Sequence, residues 1–126
     1  MGIGNTLITD SNNSRVIEVS PSGQVVFTYY TNKRPGSVPS PLPTHAIRLY
    51  NGNTLISDQV NEQVIEVDPS GNVVFSQGQI NVAGTGFNQL NWPYDAKMIG
   101  DYTGITAPFG GFFIGFYNLW DKPFLF

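Results

Sequence analysis

Gly4-Asn5-Thr6-Leu7-Ile8-Thr9-Asp10 runs on to Val16-Ile17-Glu18-Val19-Ser20-Pro21-Ser22-Gly23-Gln24-Val25-Val26-Phe27. The same stretch returns as Gly52-Asn53-Thr54-Leu55-Ile56-Ser57-Asp58 and Val64-Ile65-Glu66-Val67-Asp68-Pro69-Ser70-Gly71-Asn72-Val73-Val74-Phe75. The offset is constant at 48, and 17 of the 24 aligned positions are identical. A fixed period of this length marks an array of similar units, each too small to bury its apolar face alone. The repeat therefore decides the fold.

Each copy reads as short strands divided by turn chemistry. Leu7 and Ile8 sit at the centre of a first run, Asn5 to Thr9. Asp10-Ser11-Asn12-Asn13-Ser14 is a cluster that hydrogen-bonds its own backbone and tolerates left-handed conformations, which predicts a turn. Arg15-Val16-Ile17-Glu18-Val19 alternates as a half-buried strand does. In Ser20-Pro21-Ser22-Gly23, Pro presets φ at the second turn position and Gly closes the fourth. Gln24 to Tyr30 is a further β-branched and aromatic strand. Before the second copy, Thr44 to Tyr50 alternates and meets Asn51-Gly52, a strong hairpin signal. The complete unit thus has four strands: His45 to Tyr50, Asn53 to Asp58, Gln63 to Asp68 and Asn72 to Gln77.

The copies are cut out of phase. The first lacks its own leading strand, since only Met1 to Ile3 precede it. The second is followed by a spare: Pro93-Tyr94-Asp95-Ala96-Lys97-Met98-Ile99 repeats Pro43-Thr44-His45-Ala46-Ile47-Arg48-Leu49 at an offset of 50. Two extra residues in the Gly-rich crossover 77–92 account for the longer spacing. The organisation expected is residues 1–99 as two repeats (copy 1 over 4–30, copy 2 over 44–78, spare strand 94–99). Residues 100–126 form an aromatic, Gly-rich tail outside the pattern.

A four-stranded meander recurring every 40 to 50 residues is a β-propeller blade. The predicted fold class is all-β, with two four-stranded antiparallel blades in permuted phase. The wording is also similar to a known group. Pro-x-His/Asp-Ala-x-x-Leu, then Asn-Gly-Asn-Thr-Leu-Ile-x-Asp-x-x-Asn, then Val-Ile-Glu-Val-Asp-Pro-Ser-Gly-x-Val-Val-Phe resembles the repeats of NHL-type propellers. It resembles, too, the propellers of the bacterial and archaeal arylsulfotransferase group. The resemblance covers about residues 4–99 and bears on fold. It implies either a protein, carbohydrate or RNA-binding platform or an enzyme scaffold, so function stays open.

Composition narrows the classes. Charged residues are 12% of the chain, about half the usual share. A net charge of −3 with no basic stripe speaks against nucleic acid as a partner. The chain has no cysteine, hence no disulfide framework and no thiolate metal site. The tail, Phe109 to Trp120, is broken by Gly and Asn and is too short for a spanning helix. No cofactor or metal is expected, because no Asp-x-Asp-x-Asp-Gly loop is present.

Two blades cannot close a ring, which takes typically four to eight. Three strands, then four, then one make two blades in permuted form. The orphan strand Tyr94 to Ile99 is expected to complete the three-stranded blade of a neighbouring chain. Three chains would then close six blades as a homo-oligomer, or the chains would run on as an open polymer. Tyr94, Ala96, Met98 and Ile99, with Phe112, Phe113, Ile114, Phe116 and Trp120 of the tail, are the candidate interface residues. A fragment of a longer propeller is the competing explanation.

One histidine, His45, opens the strand expected to line a channel, and Asp95 holds the equivalent place in the next repeat. The arylsulfotransferase resemblance implies that a channel-facing His and Arg, here His45 and Arg48, act on a sulfate ester. Three positions apart on a strand, however, they point to opposite faces. Trp92, Tyr94, Asp95 and His45 are candidate contacts for a carbohydrate or protein ligand. Asp10 and Asp58 each end a strand before an Asn-bearing turn, which predicts turn-capping carboxylates. The leading expectation is a non-enzymatic structural or binding module. An arylsulfotransferase-like enzyme fragment is the alternative, and a subunit of an extracellular fibre a further one, which favours an extracellular setting.

Overall fold

The computed structural model describes residues 4–101 as seven strands in two antiparallel sheets. β1 (Thr6–Asp10), β2 (Arg15–Val19) and β3 (Val25–Tyr30) form the first sheet, in that order. β4 (Pro43–Arg48), β5 (Thr54–Asp58), β6 (Gln63–Val67) and β7 (Val73–Gln77) form the second. Helical structure among the described residues is confined to three single 3-10 turns, Ser11–Asn13, Thr31–Lys33 and Gln59–Asn61. Both sheets are blade-like meanders of a propeller-type all-β fold, one three-stranded and one four-stranded.

The repeated turn chemistry produces repeated geometry. In Ser20–Gln24 the Ser20 amide donates to the Gln24 carbonyl at 2.8 Å, and the Gly23 amide to Ser20 at 2.9 Å. Asp68–Asn72 closes the same way, with both bonds at 2.9 Å. Leu49–Asn53 repeats it a third time, so the Asn-Gly hairpin is a three-residue loop rather than the two-residue one. Gly23, Gly52 and Gly71 carry φ near +90° in these loops, where a side chain would be strained. The third loop takes Leu49 and Tyr50 out of the ladder, and β4 begins two residues earlier than expected. Pro43 is tolerated there as the first residue of a strand. Ser14 and Glu62, at matched positions, both turn left-handed to leave their 3-10 turns.

The two sheets pack face to face. Val16 and Tyr29 of the first sheet cluster with Ile56, Ile65 and Val67 of the second, and Leu7, Phe27 and Ala46 pack around them. The strand register puts these residues on one side of each sheet: Ile56 pairs with Ala46 and Ile65, and Val16 with Thr9 and Tyr29. The opposite side of the second sheet carries a separate cluster, Ile47, Leu49 and Leu55 with Val64 and Ala96. Period-2 alternation thus gives the second sheet two apolar faces, as a blade with a neighbour on each side requires.

The spare strand expected over 94–99 does not form: residues 93–98 belong to no ladder, and Ile99 and Gly100 lie in a turn. A strand is defined by its partners' hydrogen bonds; β4 pairs only with β5, and this segment reaches β4 through side chains rather than through a backbone ladder.

Candidate functional site

The segment 93–98 lies across the open face of the second sheet. Thr44 Oγ1 donates to the Tyr94 carbonyl at 2.6 Å, and the Tyr50 amide donates to Asp101 Oδ2 at 2.7 Å. Between these anchors the segment runs alongside β4, about one repeat ahead. Ala46 packs into the cluster between the two sheets, and Ala96 packs into the cluster on the far side. Repeat-equivalent alanines therefore occupy equivalent positions on successive faces. Residues 93–98 sit on the second sheet as β4 sits on the first.

Next to that segment is a cavity of about 450 Å³, lined by Leu55, Val64, Glu66, Phe75, Gln77 and Met98, among others. Its walls are mainly apolar, and Phe75 is half exposed to it. On its rim His45 Nε2 lies 3.1 Å from Asp95 Oδ1, and Lys97 Nζ donates to Asp95 Oδ2 at 2.8 Å. The Lys97 ammonium, with His45 a lesser influence, holds the Asp95 carboxyl below the usual carboxylate range. The three side chains are 37–50% exposed, while the His45 Nε2 atom facing Asp95 is itself shielded from solvent.

The candidate residues divide. His45 and Asp95 come together, and Tyr94 adjoins them through its carbonyl, while its ring is exposed. Trp92 is anchored by its amide, which donates to Glu62 Oε1 at 2.6 Å, and presents its exposed indole from the crossover. Arg48 is elsewhere. It is buried between the sheets, its Nη2 3.1 Å from Glu18 Oε1, its Nε donating to Thr54 Oγ1 at 3.0 Å, its guanidinium over the Phe27 ring. A cation so engaged holds two blades together and is not available beside His45. Met98 and Ile99 are exposed, and Ala96 is partly buried against the second sheet. Phe112, Phe113, Ile114, Phe116 and Trp120 lie outside the described residues. Among the described residues no three His, Cys, Asp or Glu side chains converge as metal ligands, and no helix is long and apolar enough to cross a membrane.

Asp58, whose sequence context predicts a turn, is among the fully buried polar residues, with Asn61 and Thr31. Asp58 is fully buried, with Oδ2 2.5 Å from Arg34 Nη2 and 2.8 Å from Asn61 Nδ2. Arg34 Nη1 also donates to Gln63 Oε1 at 2.6 Å, and the Val38 amide to Asn61 Oδ1 at 2.9 Å. Neither Asp10 nor Asp58 caps backbone. Each instead binds the asparagine three residues on, Asn13 or Asn61, and an arginine. The repeated Asp-x-x-Asn spacing was the available signal for the asparagines. Nothing local points from Asp58 back to Arg34 in the crossover.

No protein-family model matches the chain, and no curated protein sequence matches it. Among solved structures, the selenomethionine-substituted virginiamycin B lyase from Staphylococcus aureus is similar at 15% identity and a TM-score of 0.45. The match covers 58% of this chain and 23% of that one. A protein of unknown function from Bacteroides caccae is similar at 21% identity and a TM-score of 0.45, covering 64% of this chain and 30% of that one. The chain thus spans under a third of either structure.

Proposed function

We propose that the chain is a non-enzymatic β-propeller repeat module, structural or ligand-binding, that closes or extends by associating blade to blade with other chains. One observation carries this: among the described residues the outer face of each sheet has an exposed apolar side chain, Ile8 at 39% on one and Phe75 at 51% on the other, beside buried neighbours such as Ile17 and Leu55. Exposed apolar faces of this kind mark association sites. Three chains would give six blades in a cyclic assembly, and an assembly that fails to close would grow as a fibre. Sedimentation over a hundredfold concentration range tests it. Defined trimers support the ring, polymers support the fibre, and a monomer at every concentration overturns the association.

The half-exposed His45–Asp95–Lys97 rim favours a second reading, an arylsulfotransferase-like enzyme fragment. Turnover of an aryl sulfate by the native chain, abolished in His45→Ala, would establish it. No turnover removes it. The same rim, with Trp92 and Tyr94 exposed beside it, suits a carbohydrate or protein ligand on the binding-module reading.

A further inference from the structure

The cavity and the first sheet are each half of one interface, and the chain already contains that interface complete. Between the sheets, the first contributes Leu7, Val16, Glu18, Phe27 and Tyr29. Their repeat equivalents, 48 residues on, are Leu55, Val64, Glu66, Phe75 and Gln77, and these five line the cavity. Four of the five are identical between the copies. What fills the internal site is the face carrying Ile56, Ile65 and Val67, together with Ala46 and Arg48 of β4. At the cavity the β4 contribution is already present, because Ala96 and Met98 stand where Ala46 and Arg48 stand one repeat earlier. Among the described residues no second isoleucine-bearing sheet lies there.

The first sheet has the opposite deficiency. Its outward side carries Ile8, Ile17 and Val19, the equivalents of Ile56, Ile65 and Val67; Ile8 is 39% exposed, Val19 is partly buried and Ile17 is buried. Its β1 edge pairs with β2 alone, whereas β5 pairs with both β4 and β6. Among the described residues, 93–98 have the sequence of an inner strand with no sheet paired to them, and the first sheet has no inner strand paired to β1.

We infer that the cavity is occupied by the first sheet of a second copy of this chain, whose β1 edge takes residues 93–98 as its inner strand. This rests on the association reading above. The register follows from β4 on β5, where Ala46 faces Ile56, Ile47 faces Leu55 and Arg48 faces Thr54. Ala96 then faces Ile8 of the second copy, Lys97 faces Leu7, and Met98 faces Thr6. The contact is heterologous, so it repeats chain after chain.

Charge placement fits the same docking. At the internal interface the crossover 31–42 reaches over to the second sheet and supplies Arg34 to Asp58. The crossover that would reach the second copy, 77–92, contains no charged residue. The group it would meet is Asp10, which already holds Arg15 of its own sheet at 2.7 Å. An arginine in that crossover would meet Arg15, and the uncharged sequence avoids the clash of like charges.

The cysteine-free chain permits a direct test. Ile8→Cys and Ala96→Cys chains are prepared separately, mixed and oxidised. The expected result is a two-chain disulfide species that forms in the mixture and not in Ile8→Cys mixed with Lys97→Cys, where the register is slipped by one residue and the thiol faces away. A native assembly that yields no Ile8–Ala96 link overturns the seam while leaving association standing. A chain that is monomeric throughout overturns both. Ile8→Arg is the second variant. Ile8 is 39% exposed within one chain, so the variant keeps its melting temperature as a monomer, and its mass falls to that of one chain. Retention of the native assembly mass in a folded Ile8→Arg chain also overturns the seam.

Discussion

Arg34 and Asp58 form an ion pair between the crossover and the second sheet, Nη2 to Oδ2 at 2.5 Å, with the carboxylate fully buried. It pins residues 31–42 against β5 and so fixes how one blade follows the other. Removing one partner of such a pair strands the other in a dry site. Arg34→Leu is expected to lower stability by about 3 kcal/mol at neutral pH. Urea titration of the two chains measures it. A loss near zero would mean that water reaches Asp58.

The pH dependence of that pair has a definite sign. Burial is the largest influence on the Asp58 carboxyl and raises it above the ordinary aspartate value, with Asn61 and Arg34 opposing. A group raised on folding contributes most below its unfolded value and loses that contribution as pH rises through the folded value. Wild type compared with Asp58→Asn should therefore lose relative stability between acid and neutral pH. The Arg34→Leu defect should shrink in acid, where the stranded carboxyl takes a proton.

Asp68 behaves in the opposite way. Its Oδ1 accepts from the Ser70 and Asn72 amides, each at 2.9 Å, and Asn72 is the largest cause of its lowered carboxyl. A lowered group contributes stability above its unfolded value and loses it as pH falls. Asp68→Ala should accordingly destabilise at pH 7 and converge with wild type in strong acid. Thermal melts at the two pH values read this out. Ser20 holds the matching place in the first copy, where the Gln24 amide donates to its hydroxyl, so Ser20→Ala should show no such pH dependence.

Ile8 and Ile56 are the same residue of the repeat in different surroundings. Ile56 is fully buried and Ile8 is 39% exposed. Ile56→Ala should cost about 3 kcal/mol, in the range of buried large-to-small changes, and Ile8→Ala under about 1 kcal/mol in a single chain. Equal losses in a dilute, dissociated sample would show that Ile8 is buried within one chain.

Gly78 and Gly71 both have positive φ, near +90°. A Cβ on Gly71 meets open space, whereas one on Gly78 would collide with the Glu62 carbonyl. Gly71→Ala should lose about 1 kcal/mol from backbone strain alone. Gly78→Ala should lose clearly more and loosen the crossover, visible as faster amide exchange of Gly78, whose N–H is held by Asn88 at 2.8 Å.

The strands, their turns and their phase were legible in the sequence because each depends on local chemistry: alternation, a Pro-Ser-Gly turn, a left-handed glycine. Those cues repeat 48 residues apart and fixed the all-β meander. Three things came only from the tertiary structure. Asp58 was read as a turn residue, since nothing adjacent reveals that it is buried or that Arg34 comes back to it. Alternation alone sets Arg48 and His45 on opposite faces, but only the fold shows that the Arg48 face is the blade interface, where Glu18 holds it. Residues 94–99 read as a strand by likeness to β4, but the segment makes no backbone ladder and is placed by Ala96 packing on the Ile47, Leu49 and Leu55 cluster. A repeat determines what each unit is. Which units touch, and which faces stay open, depends on contacts between residues far apart in the chain.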